Sequence, residues 1–238
     1  MRPATRSERK SVDTATGIDV LIVEDHHLLA DGLASAFCRA GLTARVLYPH
    51  GGADVLARVR ELRPSLVLLD VDLGMPDGDA DAAVPGIVDA AVDVALLTGS
   101  RDRDAIARCL EAGALTMISK AETLDRVIEV VQRLLNGGPP PGREERNALV
   151  AERRERELRR ARRLAPFAKL SPREAHVLRA LADGRSVETV AVESYVSVAT
   201  VRSQVRSILL KLDVNSQLAA VAVARQTGWL DGADGVSD

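Results

Sequence analysis

Four short apolar runs, each leading into a polar group that chemistry can use, constrain this chain more than any other feature. Asp19–Val23 runs into Glu24 and Asp25, Ser65–Leu69 into Asp70, Asp93–Leu97 into Thr98, and Leu115–Ile118 towards Lys120. Between them lie stretches with helical spacing: Leu28–Ala40, Ala53–Leu62, Asp102–Ala112 and Thr123–Leu135, three of them stopped by a glycine and Ala53–Leu62 by Pro64. Ala44–Tyr48 is a further strand candidate. Strands alternating with helices of about ten residues predict an α/β fold, a parallel sheet covered by helices. The run from Asp72 to Gly86 is too rich in Gly, Asp and Pro for an assignment.

In an open parallel sheet ligands bind outside the carboxyl ends of the strands, so these four ends should converge. Carboxylates gathered there repel one another unless a cation joins them, and an oxygen-rich set suits Mg²⁺. A hydroxyl and an ammonium have no reason to crowd metal-binding carboxylates, but they can hold the oxygens of a phosphoryl group. Asp70 is therefore a candidate nucleophile, Glu24 and Asp25 candidate metal ligands, and Thr98 and Lys120 candidate phosphoryl-binding groups. His26 and His27 lack a third His or Cys spaced to complete a metal site and are placed in the loop over the acidic edge.

After residue 136 the composition changes. Asn136-Gly-Gly-Pro-Pro-Pro-Gly142 is a spacer, and Arg143–Arg163 interleaves Arg and Glu at helical spacing, which predicts a solvated connecting helix. From Lys169 onward the pattern is wholly helical. Ser171-Pro172-Arg173-Glu174 is a capping box, and Ser186, Ser197 and Ser216 can cap three more helices, to about Glu193, Leu212 and Thr227. On the third of these Val201, Val205, Ile208 and Leu212 form an apolar stripe; Arg202, Ser203, Arg206 and Ser207 turn away from it. A short helix, a turn and such a helix have the length of a helix-turn-helix, whose second helix enters the DNA major groove. There Arg reads guanine, while Ser197, Thr200 and Lys211 are placed to hold phosphates. Net charge follows the same division: −6 over residues 1–136, +4 over 137–168 and 0 over 169–238, within a total of −2 for 238 residues.

No apolar stretch approaches the roughly 18 residues that span a bilayer, so no membrane partner is expected. Residues 1–17 are polar and basic without a hydrophobic region, and read as a loose tail. Cys38 and Cys109 stand alone in helical patterns and read as small hydrophobes in a reduced, cytoplasmic protein.

Together VLIVEDHHLL, LVLLD, LLTGS and MISKAE resemble the signature segments of response-regulator receiver domains. LSPREAHVLRALADG, VSVATVRSQVRSILLKLDV and NSQLAAVAVA resemble the LuxR/FixJ-type DNA-binding domain. The whole is similar to two-component regulators of the NarL/FixJ family. That resemblance implies a flavodoxin-like, doubly wound sheet of five parallel strands over 18–136. It further implies a helical linker over 137–167, an all-α four-helix domain over 168–230 and a tail over 231–238. It implies that a sensor histidine kinase phosphorylates Asp70, with Mg²⁺ held by Glu24, Asp25, Asp70 and the backbone carbonyl of Asp72. It also implies a homodimer on an inverted-repeat promoter in double-stranded DNA, with RNA polymerase as a partner, and no enzyme.

Two positions depart from the family. Gly74 stands where a Pro usually follows the acceptor Asp, with Pro76 two residues later, and Met117 stands at the switch position where Tyr or Phe is usual. A second reading therefore keeps the DNA binding and makes the receiver vestigial, independent of phosphate. Asp70-Val71-Asp72 also resembles the opening motif of haloacid-dehalogenase-type phosphatases, but Gly74 and the lack of a late acidic metal motif between Asp93 and Lys120 speak against it.

Overall fold

The computed structural model describes residues 17–74, 80–99 and 101–233. Most of the two tails and Pro76 lie outside these residues. Contacts divide the chain into two units, Met1–Arg153 and Arg154–Asp238.

In the first unit five strands, β1 (Val20–Val23), β2 (Ala44–Leu47), β3 (Leu66–Asp70), β4 (Asp93–Thr98) and β5 (Thr116–Ser119), alternate with helices. These helices are α1 (His27–Arg39), α2 (Gly52–Leu62), α3 (Ala80–Asp89), α4 (Arg103–Glu111) and α5 (Leu124–Leu135). The sheet is wholly parallel, in the order β2-β1-β3-β4-β5, the flavodoxin-like doubly wound arrangement. Because side chains alternate along a strand, each strand feeds two cores. Leu21, Val23, Val67, Leu69, Val94 and Leu96 face one; Val20, Ile22, Leu66, Leu68, Ala95 and Leu97 face the other, against Phe37 of α1 and Val127, Val130 and Val131 of α5. Burial on both faces is why these strands read as unbroken apolar runs.

Helix α3 occupies part of the run left without assignment. Pro85 sits inside it and removes a backbone donor, yet Ala80, Ala83, Val84 and Ile87 recur at helical spacing and are buried. Gly74 has a φ of +55°, a left-handed backbone that a proline cannot adopt. This accounts for Gly at that position. Cys109 is buried as expected, whereas Cys38 is exposed.

Helix α6 (Arg143–Leu164) replaces the expected solvated connector with something more specific. Its first half belongs to the first unit: Leu149 is 2% exposed within the core that includes Ile106 and Leu110, with Val150 beside it. Burying one leucine in this way contributes about 1.5–3 kcal/mol.

The second unit holds α7 (Pro172–Ala182), α8 (Val187–Glu193), α9 (Val198–Leu212) and α10 (Gln217–Gln226), with no strand among its described residues. Each of these helices starts at its predicted serine. Ser171, Ser186, Ser197 and Ser216 accept from backbone N–H groups of the first turn, and Glu174 closes the capping box. The core gathers Val177, Leu178, Val190, Val201, Ile208 and Ala224. Phe167 stacks on Trp229 at 5.0 Å, with the Arg179 guanidinium 4.7 Å above the indole. Among the described residues no single helix is long and apolar enough to cross a membrane.

Gly113 ends α4 at a φ of +120° and a Cβ there would stand 3.0 Å from Val88 Cγ2. Gly113→Ala should therefore cost about 1–3 kcal/mol, read as a lowered urea midpoint of the first unit at unchanged slope.

Candidate functional site

Strand register alone brings the polar ends together. Val23 pairs with Leu69 and Asp70 with Leu97, while Thr98 pairs with Ser119. Glu24, Asp70, Thr98 and Lys120 therefore emerge on one edge of the sheet. Glu24 and Asp70 are both 0% exposed and Thr98 only 7%. Lys120 Nζ donates to Asp70 Oδ2 at 2.8 Å and to Glu24 Oε1 at 3.0 Å. The Asp72 backbone N–H donates to Asp70 Oδ1 at 3.2 Å. Asp25 lies at the rim, and His26 Nδ1 sits 2.7 Å from Asp25 Oδ1 and 2.9 Å from Glu24 Oε1.

The charge balance of this cluster is unfavourable to a bare carboxylate. Burial pushes the Asp70 carboxyl above its ordinary value, and the nearby Glu24 charge adds to that; the Lys120 ammonium and the Asp72 N–H oppose it without prevailing. Burial lowers the Lys120 ammonium, but hydrogen bonds to Asp70 and Glu24 prevail and raise it. His26 is raised by its bond to Glu24 and by Asp25. Ligand atoms of Glu24, Asp25, His26 and Asp70 all lie within 4.8 Å of one another. Two buried carboxylates share one lysine and a third stands beside them at the rim; that oxygen set fits a hard divalent cation such as Mg²⁺. Sequence reasoning placed His26 over this edge but did not foresee that it binds both acids.

Thr98 and Met117 sit on the opposite side of the sheet edge from Asp70. Leu96 pairs with Met117, so strand alternation puts Thr98 and Met117 on one face, where both line a cavity of about 630 Å³. Met117 is half-buried and packs on the core that includes Leu149.

In the helical unit the expected DNA-facing residues divide. Arg202, Ser203 and Arg206 are exposed on α9, with Arg202 held 3.3 Å from Glu188. Ser197 and Thr200 are exposed at its start, their hydroxyls 2.8 Å apart. Ser207 and Lys211, expected on the same face, instead reach back to α7. Ser207 Oγ donates to Glu174 Oε1 at 2.5 Å and Lys211 Nζ to Glu174 Oε2 at 2.6 Å. Burial would raise the Glu174 carboxyl, but Lys211, Ser207 and Ser171 outweigh it and hold it down at about 2. The capping box was legible in sequence; its partners 33 and 37 residues further along were not.

Comparison with known proteins covers both units. The response regulator receiver domain family matches residues 20–132, and the luxR family of bacterial regulatory proteins matches residues 168–224. "Probable transcriptional regulatory protein NarL" of Mycobacterium tuberculosis is 28% identical over 214 residues, 90% of this chain and 96% of that protein. "Putative transcriptional regulator" of Pseudomonas aeruginosa is 31% identical over 211 residues, 87% of this chain and 97% of that protein. A solved structure of the RcsB response regulator of Salmonella typhimurium overlaps 89% of this chain and 99% of that chain, at 18% identity and a TM-score of 0.46.

Two outcomes follow from these carboxylates. Asp70 has a folded-state pKa above its unfolded value, so above both values the buried charge opposes folding. Asp70→Asn should raise the melting temperature of the first unit at neutral pH, by about 4 °C for each kcal/mol relieved, seen by differential scanning calorimetry. Glu174 behaves in the opposite sense: its folded-state value of about 2 lies below the ordinary 4.5. Its contribution is complete above pH 4.5 and disappears as the pH falls towards 2. The single tryptophan, Trp229, lies in this unit and reports its unfolding by fluorescence; Glu174→Gln should flatten the acid dependence of that signal.

Proposed function

This chain belongs to the response regulators that join a receiver domain to a LuxR-type DNA-binding domain, and from that membership we propose a transcription factor switched by phosphorylation of Asp70. Such proteins are transcriptional regulators and not enzymes, which leaves the phosphatase reading of Asp70-Val71-Asp72 without support. The observation that carries the proposal is the fully buried Asp70 carboxylate, facing Glu24 with Lys120 as its cationic partner.

An Asp70 carboxylate oxygen attacks the phosphorus of a phosphohistidine on a sensor histidine kinase. The new P–O bond forms as the P–N bond breaks, and the imidazole leaves and takes up a proton. Glu24, Asp25, Asp70 and the backbone carbonyl of Asp72 would hold Mg²⁺, whose charge would offset that of the phosphoryl oxygens. Lys120, already on Asp70 Oδ2, exchanges that contact for a phosphoryl oxygen, and Thr98 offers its hydroxyl to another. Met117 is the residue that answers the movement of Thr98. Being unbranched and flexible, it fills space less definitely than a ring.

At the other end Arg202, Ser203 and Arg206 read base edges and Ser197 and Thr200 hold phosphates. Ser207 and Lys211 set the angle of α9 through Glu174, with Lys211 reaching a phosphate from its remaining exposed third. Pairing of α10 with its twin, where Leu218 is 79% exposed, gives a homodimer on an inverted repeat in double-stranded promoter DNA. It works in the cytoplasm alongside RNA polymerase. Moving the population from mostly inactive to mostly active takes about 5.5 kcal/mol of differential stabilisation. Met117 is the one observation that favours the second reading, a vestigial receiver.

Beryllium fluoride with Mg²⁺ should drive dimerisation by sedimentation and tighten binding to selected promoter fragments at least ~10-fold, a shift of about 1.4 kcal/mol, and Asp70→Asn should abolish the response. No effect of the mimic, with a silent Asp70→Asn, would establish the phosphate-independent reading. Arg206→Ala should cost about 1–3 kcal/mol of base discrimination, read as relaxed sequence preference in the selected fragments.

A further inference from the structure

Residues 141–153 are pinned to both sides of the α4–β5 boundary. Thr116 Oγ1 on β5 donates to the Pro141 carbonyl at 2.9 Å. The Arg146 guanidinium donates to the Leu110 carbonyl at 3.1 Å and the Ala114 carbonyl at 3.4 Å, satisfying acceptors where α4 ends and placing a cation at the negative end of its dipole. One turn on, Leu149 enters the core. Arg153 then pairs with Glu111 at 2.5 Å and Arg103 with Glu152 at 3.1 Å, both partners on α4. An Arg/Glu-rich helix that had nothing to do but connect would not need a backbone clamp, a buried leucine and ion pairs from Glu152 and Arg153 to Arg103, Asp104 and Glu111 of one neighbouring helix.

The position of this segment over the switch gives the attachment a consequence. Thr98 and Met117 line one side of the 630 Å³ cavity; Pro141, Glu145 and Leu149 line another. Arg146 and Arg153 hold α4, whose N-terminal end follows Thr98 by a few residues, while Pro141 holds β5, which carries Met117. A bridge anchored on two elements is sensitive to any movement of one past the other. A shift of Thr98 towards Asp70 that let Met117 follow it would draw the β5 wall of the cavity away from Leu149, and the anchors on α4 and β5 would no longer match.

We propose that residues 141–153 are a strap that clasps the α4–β5 face of the unphosphorylated receiver and is released by phosphorylation of Asp70. This rests on the phosphorylation reading above. The receiver's output is then the freedom of the first turns of α6, a helix that continues without a break to Leu164.

Amide hydrogen exchange of the full-length protein tests this in the absence of ligand, with Mg²⁺ alone, and with Mg²⁺ and beryllium fluoride. Release predicts exchange in 143–153 at least ~10-fold faster with the mimic, with α1 as an unresponsive control, and a matching rise in tryptic cleavage after Arg146 and Arg153. The pair Arg146→Ala and Arg153→Ala should show fast exchange in that segment without any mimic, while Arg146→Lys restores part of the protection. If the mimic alters 101–106 and leaves 143–153 protected, the strap is a static part of the receiver and the proposal fails, while phosphorylation stands. If neither segment responds to the mimic, the phosphorylation reading fails and the release mechanism with it. Unchanged protection in the double alanine variant overturns the clasp directly.

Discussion

The contact of Lys120 with the two fully buried carboxylates of Asp70 and Glu24 ties the chemistry of this protein to its sheet. None of the three could be held in place by its own loop. Asp70 and Glu24 are fixed because β3 and β1 pair in register, and Lys120 because its N–H bonds the Thr98 carbonyl at 2.9 Å at the end of β4. Parallel pairing with both faces covered by apolar side chains is therefore a condition for the cluster, since it brings groups 96 residues apart in the chain to hydrogen-bond distance. Removing the lysine from such a cluster costs more than either pair contributes, because two carboxylates then stay buried without a cation.

How much of this could be read from residues alone depended on whether the signal was local. The strands were legible because burial on both faces leaves unbroken runs such as Leu66–Leu69, and the second unit because four serines cap its helices in sequence. Helix α3 was hidden by Pro85 and Gly86, two residues that argue against a helix locally; the spacing of Ala80, Ala83, Val84 and Ile87 was the signal available for it. The convergence of Glu24, Asp70 and Lys120 was legible because a rule of topology places strand ends together; Thr98 emerges at the same edge but on the face shared with Met117. The docking of α6 was not. A helix with one leucine facing inward looks solvated, and Arg146 binds backbone carbonyls, which leave no trace in a sequence. The same holds for Ser207 and Lys211, whose partner Glu174 lies on a helix with no sequence neighbour in common.

The two cysteines and the two substitutions against the family pattern show the same distinction. Cys109 lies on the inner side of α4 and is buried, whereas Cys38, equally isolated in sequence, is exposed on α1; helical periodicity near the end of α1 did not separate the sides. Gly74 answers to a backbone requirement, the left-handed φ of the loop after β3. Met117 answers to a packing requirement, lying half-buried against the core that includes Leu149. Neither substitution removes a group from the acidic cluster.

Glu174 and Asp70 are both carboxylates less than a tenth exposed, and each is bonded to a lysine, yet their acidities move in opposite directions. Glu174 accepts from the Ser171 N–H, from Ser207 Oγ and from Lys211 Nζ. Its charge is fully compensated, and it serves as a structural tie between α7 and α9. Asp70 shares its lysine with Glu24 and gains one further N–H from Asp72. Its charge is under-compensated, so the fold carries an unmet demand for positive charge at that carboxylate. A compensated buried acid has no use for another cation, whereas an under-compensated one is stabilised by a divalent ion. The difference between the two carboxylates lies in the depth of burial and in the number of donors around each, not in residue type.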